Sequence, residues 1–481
     1  MRNRTQETPP LELWGGLECS IARVGDGFYD QFVETGHDRR EGDLARVADA
    51  GIRTVRYPVS WERICPDGDL GRADWAWTDA RLAEWQRLGV RVIAGLVHHG
   101  SGPPGHTSLI DPEFPAKLAA FARAAAERYP YITSWTPVNE PLTTARFAGL
   151  YGVWYPHGRD EQTFARALLN EILGTRAAMR AIRAAIPHAE LIQTEDLGRT
   201  YSTQRLAGQA SFDNARRFLT WDLLCGYVRD DYHRMWGHLL WAGVPESELR
   251  ELADDPCPPD IIGINHYLTS ARFLDERCER YPDEFCGTNG RERYADIEAV
   301  RVLAADAYSG VGGVMAEAWQ RYRRPLALTE VHLWAYDEAE QARWLAEAWH
   351  TAQHLRESWG VDVRAVTAWS LFGAYDWNSL MTRRERVYER GLWDLTHTGA
   401  GEPPHETPVG AVARALAQTG VVPPQPGLAT PGWWHRPDRL IYPVVEAWEL
   451  ADNPSLPMPR TVRALSAPAF AFAAPDRVAV G

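Results

Sequence analysis

Cysteine is scarce in this chain of 481 residues. There are six, Cys19, Cys65, Cys225, Cys257, Cys278 and Cys286, scattered without a C-x-x-C pair. That usage argues against a disulfide framework and predicts reduced thiols in a cytoplasmic protein. Only Cys278 and Cys286 are placed to bridge in an oxidising setting. No uncharged apolar run is long enough to cross a bilayer, so no membrane partner is expected. The start, residues 1–10, holds two arginines with no apolar stretch behind them, which predicts a disordered N-terminus rather than a signal peptide. Basic runs are missing too. With 51 basic against 64 acidic residues the net charge is −13, which argues against nucleic acid as a partner. No glycine-rich phosphate loop follows any apolar run, and no internal repeat stands out.

Tryptophan, by contrast, is plentiful, at 21 residues. Most of these serve core packing, but sugars also stack their C–H faces on aromatic rings, so the enrichment mildly favours a carbohydrate site. Short apolar runs alternate with helical periodicity along most of the chain. Strands are expected at Leu11–Gly16, Ile52–Tyr57, Val90–Val97, Ile132–Val138, Glu190–Thr194, Asp260–Tyr267, Pro325–Thr329 and Val363–Trp369. Between them lie helical patterns. Phe114, Leu118, Phe121, Ala125 and Tyr129 recur at steps of three and four, and Glu161–Ile186 and Glu338–Trp359 read as long helices. Eight βα units predict an α/β protein, a single-domain (β/α)8 TIM barrel over residues 11–420. Residues 421–481, rich in Pro and Ala, read as an irregular tail.

Active-site residues of such a barrel sit at the C-terminal ends of its strands. Those ends read Arg56, His98, Asn139-Glu140, Asn265-His266-Tyr267, Glu330 and Trp369. Two carboxylates stand among them, on strands that face each other across the mouth. Double displacement at a glycosidic bond needs such a pair, one group to attack and one to exchange a proton. His98, His99 and His106 lack ligand spacing on one regular element, so no metal is expected.

At these positions the chain resembles glycoside hydrolase family 1, the β-glucosidase family. Residues 51–64, GIRTVRYPVSWERI, are close to the family's second-strand block. Thr136–Pro141 (TPVNEP) matches its T-x-N-E-P motif, and Asn265–Ser270 (NHYLTS) is similar to N-Y-Y-T-S. Thr329-Glu330 and Trp369-Ser370-Leu371 match T-E and W-S-L. The resemblance implies a retaining β-glycosidase without cofactor, acting on a glycoside, with Glu140 as acid/base and Glu330 as nucleophile. It implies support from Arg56, Asn139 and Tyr267, and sugar contacts from His98, Asn265, Trp369, Asp376 and Trp377. A transglycosidase using the same intermediate, and a barrel that binds sugar without turnover, are the alternatives. None of these residues specifies an oligomeric state.

The chain departs from the family where the sugar's distal hydroxyls would be held. The first-strand Gln is missing from Glu18–Arg23, H-W-D has become His98-His99-Gly100, and Asp376 stands where the family has Glu. Those losses predict a deoxy or 6-modified sugar in place of plain glucose. The end, Gly432–Arg439, also resembles the front half of bacterial proteins in which such a barrel precedes a sugar-nucleotide reductase.

Overall fold

The computed structural model describes residues 9–305, 310–334 and 337–451. Most of the expected disordered start and the end of the expected tail lie outside the described residues. Eight parallel strands close into a barrel: β1 (Glu12–Gly16), β2 (Thr54–Pro58), β3 (Arg91–His98), β4 (Ser134–Asn139), β5 (Glu190–Asp196), β6 (Ile261–Asn265), β7 (Leu326–Val331) and β8 (Val363–Ala368). Neighbours follow chain order around the ring, and β1 closes it by pairing with both β8 and β2. Each strand lies within about two residues of its sequence-expected limits.

Alternation along the strands sorts the core. Inward positions Trp14, Ile93, Ile192, Ile261, Ala327 and Ala365 fill the barrel lumen, where one indole is accommodated by two alanines. Outward positions such as Val55, Leu328 and Val366 join the larger core beneath the helices. Those helices carry ordinary stop signals. Asp160 caps Glu161–Ala185 at the Thr163 N–H, 2.7 Å away, and Asp337 caps Glu338–Trp359, which ends at Gly360 in the left-handed region (φ 63°). No helix among the described residues is long and apolar enough to cross a membrane. All six cysteines are free, Cys278 and Cys286 included.

Two features go beyond the βα pattern. A four-stranded sheet, built from Thr200–Ser202, Arg272–Asp275, Cys286–Thr288 and Arg293–Glu298, stands beside the barrel mouth over a small core of Tyr201, Phe273, Ala295 and Ile297. Its strands are short, three to six residues, so they carry little periodic signal. The segment after Gly420 is irregular but attached. Trp434 is buried, donates to Glu347 at 2.9 Å, and lies edge-on to Trp344. Arg436 reaches Glu340 at 2.9 Å, and Ala451 N–H bonds Ser202 O beside the small sheet.

Candidate active site

Parallel pairing puts the ends of the strands on one ring. His98 is in register with Asn139, and Glu330 with Asn265. Glu330 is buried at the end of β7. Its Oε1 accepts from Arg56 Nη1 at 2.8 Å, and its Oε2 accepts from the Tyr267 hydroxyl. Arg56 is itself tightly held. Nη1 also donates to Thr329 O at 2.7 Å, Nη2 donates to Asn139 Oδ1 at 2.7 Å, and the guanidinium lies 4.9 Å from the Trp369 ring centroid. A planar fork is the one side chain able to serve these three acceptors at once.

Glu140 ends the turn after β4 in the left-handed region (φ 47°), an uncommon conformation for a residue with a side chain. Asn265 Nδ2 donates to its Oε1 at 2.5 Å, and His99 Nε2 lies 3.8 Å from Oε2. Among the described residues no arginine or lysine pairs with it as Arg56 pairs with Glu330. The proton affinities follow from this difference. Burial, and then the charge of Glu330, push the Glu140 carboxyl well above the usual carboxylate range. Burial also raises Glu330, but Arg56 and Tyr267 both pull it back. Two buried carboxyls that influence one another therefore hold protons unequally, with Glu140 the one that keeps its proton.

The other expected residues divide into two groups. Asn139 joins the cluster, accepting from Arg56 and from Thr194 Oγ1 at 2.8 Å while Nδ2 faces His98 Nε2 at 3.2 Å. His98 is kept neutral, chiefly by burial and next by its neighbours His99 and Arg56. Its ring lies parallel to Trp369, 5.7 Å between centroids, so a histidine face already covers part of the indole expected beneath a sugar. Leu17, Cys19, Arg56, His98, Asn139 and Trp369 border a cavity of about 20 Å³, room for one water. Gly16 lies against the same indole. A Cβ there would fall 2.4 Å from Trp369 Cε3.

Asp376 behaves differently from the sequence reading. It is fully buried, with Oδ2 accepting from the Tyr29 hydroxyl and Oδ1 from the Val387 N–H at 2.7 Å. Both oxygens are thus engaged by protein, and the carboxylate ties the loop after β8 to residues near the end of β1. Trp377 packs edge-on against His99 and Trp154, and its Nε1 has no protein acceptor.

Two acidic residues, Glu195 and Asp196, went unremarked as site groups in the sequence reading. Glu195, on β5, accepts from the N–H groups of Leu142 at 2.7 Å and Thr143 at 3.1 Å and from Thr220 Oγ1 at 2.6 Å, fixing the turn that follows Glu140. Burial raises it to about 7. Asp196 is near enough to raise both Glu140 and Glu330. The signal was the end of the fifth strand, Thr194-Glu195-Asp196, where the sequence reading stopped the strand at Thr194 and gave the two acids no part. Glu18 is buried too, its Oε1 held by the Ser20 N–H at 2.9 Å and by the Ser20 hydroxyl at 2.6 Å. Burial, then the charge of Glu330, raises it to about 7.

Chemically, the cluster offers one carboxyl that stays protonated beside another kept chargeable by a guanidinium and a phenol. Comparison with known proteins agrees with this picture. A family model described as glycosyl hydrolase family 1 matches residues 33–388. β-Glucosidase 47 of Arabidopsis thaliana is 22% identical over 410 residues, covering 79% of this chain and 76% of that protein. β-Glucosidase A of Thermotoga maritima is 20% identical over 409 residues, covering 78% of this chain and 86% of that one. The solved structure of a Thermotoga maritima β-glucosidase in complex with noeuromycin superposes with a TM-score of 0.66 at 16% identity, over 85% of this chain and 98% of that one, and shares its fold.

Proposed function

The chain belongs to glycosyl hydrolase family 1 and is a retaining β-glycoside hydrolase, and from that premise we propose that Glu330 is its nucleophile and Glu140 its general acid/base. The observation that carries the assignment is the unequal support of the two carboxyls. Glu330 has Arg56 and Tyr267 to favour its anion, while at Glu140 burial and the neighbouring negative charges, Glu330 first, outweigh the one amide donor, Asn265, and favour the acid. In the first step Glu330 attacks the anomeric carbon and Glu140 gives its proton to the departing oxygen. In the second, the Glu140 carboxylate takes a proton from water, and that water displaces Glu330 from the sugar. Arg56 and Tyr267 hold the nucleophile in place, and Asn139, fixed by Arg56 and Thr194, is the group for the sugar 2-hydroxyl. Of the two-part arrangement that residues 432–439 resemble, this reading takes up the glycosidase half alone.

Replacing Glu330 with Ala is expected to abolish turnover of an activated aryl β-glycoside. Azide added to this variant is expected to restore reaction and to give the inverted glycosyl azide by NMR. A retained azide product, or residual wild-type turnover, would assign the nucleophile elsewhere.

A further inference from the structure

Beside the catalytic cluster lies a cavity of about 1020 Å³, several times the volume of one pyranose ring. Its inner end is formed by Leu142, two residues after Glu140, and by Asp196 and Ser270. A group leaving on the oxygen that Glu140 protonates departs toward this space.

The walls are rich in guanidinium groups, seven in all, in a protein of net charge −13. What distinguishes them is their pairing. The wall carboxylates are all engaged. Asp213, Glu292 and Asp296 meet arginines at 3.0, 2.7 and 2.8 Å. Glu161 faces His238 at 3.2 Å, Asp160 caps a helix, and Asp196 accepts from the Ser270 hydroxyl at 2.5 Å. Three arginines have no carboxylate at ion-pair distance among the described residues: Arg146, Arg159 and Arg291. Arg146 is half-buried, six residues after Glu140. Among the described residues its Nε is sealed without a partner, and its one side-chain hydrogen bond is a long one, 3.3 Å, to Thr143 Oγ1. A partly desolvated guanidinium with unused donors favours an anion. Two large aromatic side chains, Tyr151 and Trp241, also line the cavity and remain 45% and 66% exposed. They provide a stacking surface beside the charges.

We propose that this cavity is an aglycone site for an anionic aromatic leaving group, one carrying a carboxylate or a phosphate, with Arg146 as its principal anchor. The inference rests on the roles proposed for Glu140 and Glu330. Without them the cavity would still bind such an anion but would not serve hydrolysis.

The test separates the two claims. Calorimetric titration compares 4-hydroxybenzoate and phenyl phosphate with neutral methyl 4-hydroxybenzoate on the full-length protein. The anions are expected to bind at least tenfold more tightly at low salt. That advantage should shrink in 0.5 M NaCl and fall at least fivefold in Arg146→Gln; the tighter anion identifies the group. Arg291→Gln, at an exposed position, should reduce the same ratio and covers the case in which the first variant does not fold. In turnover, the 4-carboxyphenyl β-glycoside of the sugar that is cleaved best should exceed its methyl ester in kcat/KM, and Arg146→Gln should erase the preference. Anions that bind no better than the ester, or ratios unmoved in both variants, would overturn the proposal. Anion binding without cleavage of any 4-nitrophenyl β-glycoside, across a panel that includes the glucoside, galactoside, fucoside and 6-phosphoglucoside, would instead count against the hydrolase roles and leave the site standing.

Discussion

Replacing Tyr267 with Phe removes one oxygen and nothing else. In the native site that hydroxyl donates to Glu330 Oε2, while Arg56 holds Oε1 at 2.8 Å. A hydrogen bond to a charged partner contributes about 1.5–3 kcal/mol, and one pKa unit corresponds to about 1.4 kcal/mol. Loss of the donor weakens the anion, so the Glu330 carboxyl should rise by about one to two units. The sign fixes the shape of the effect. Glu330 must be ionised to attack, so the acid limb of kcat/KM should move toward higher pH by that amount. Below the limb the variant should lose roughly 10- to 100-fold, and above it the loss should shrink. The assay is a pH profile with 2,4-dinitrophenyl β-glycoside, whose leaving group needs little help from Glu140. A uniform loss at every pH, with the acid limb unmoved, would refute the argument, because the hydroxyl would then act on something other than the charge of Glu330.

Four further outcomes follow. Glu140→Gln should cost about 10²–10⁴-fold with a poor leaving group such as 4-methoxyphenol, and far less with 2,4-dinitrophenol; equal losses would deny it the acid's role. Burial holds Glu18 at about 7 against 4.5 for a free carboxyl. The folded state therefore binds the extra proton between those values, and stability falls as pH rises through that window, by at most about 3 kcal/mol from this group. Glu18→Gln should flatten denaturant midpoints between those pH values, and an unchanged slope would remove Glu18 from the account. Asp376→Asn should lower the thermal midpoint while reducing kcat/KM for aryl β-galactoside and its 6-deoxy analogue, the β-fucoside, by equal factors. A changed ratio would mean that the carboxylate touches the sugar. Gly16→Ala puts a methyl 2.4 Å from Trp369 Cε3, so it should depress kcat/KM with the circular dichroism of the barrel intact, and full activity would mean that the indole need not stay where it is.

The frame of this protein was legible because barrel strands are buried on both faces and advertise themselves as short apolar runs. The grouping of Arg56, Glu140, Asn265, Tyr267 and Glu330 in one cluster was legible because they stand at strand ends, where barrels place chemistry, while the roles proposed for them came from the motifs they sit in. What escaped depends on side-chain direction. Asp376 differs from the family's Glu by one methylene, and nothing in the letters says that Tyr29 and the Val387 N–H will take both its oxygens. Glu195 occupies an outward position of its strand, beneath the helices, where a charge looks anomalous, yet it caps the turn after Glu140. The small sheet escaped for another reason. Its strands are three to six residues long, too short to show a period, and they sit in the connections between barrel units.

The closure of the barrel also sets an order in time. Arg56 is made early in synthesis, but the groups it holds, Thr329 O and Glu330, come 273 and 274 residues later. Glu18 N–H waits 352 residues for the Ser370 hydroxyl. Until β7 emerges the arginine has no anion to meet, and until β8 follows, β1 and β7 each present an unpaired edge. A nascent chain halted before residue 363 is therefore an open sheet with exposed edges, a template for association with its own copies. Pulse-labelled chains should show protease resistance and activity appearing together, after the last strand has left the ribosome.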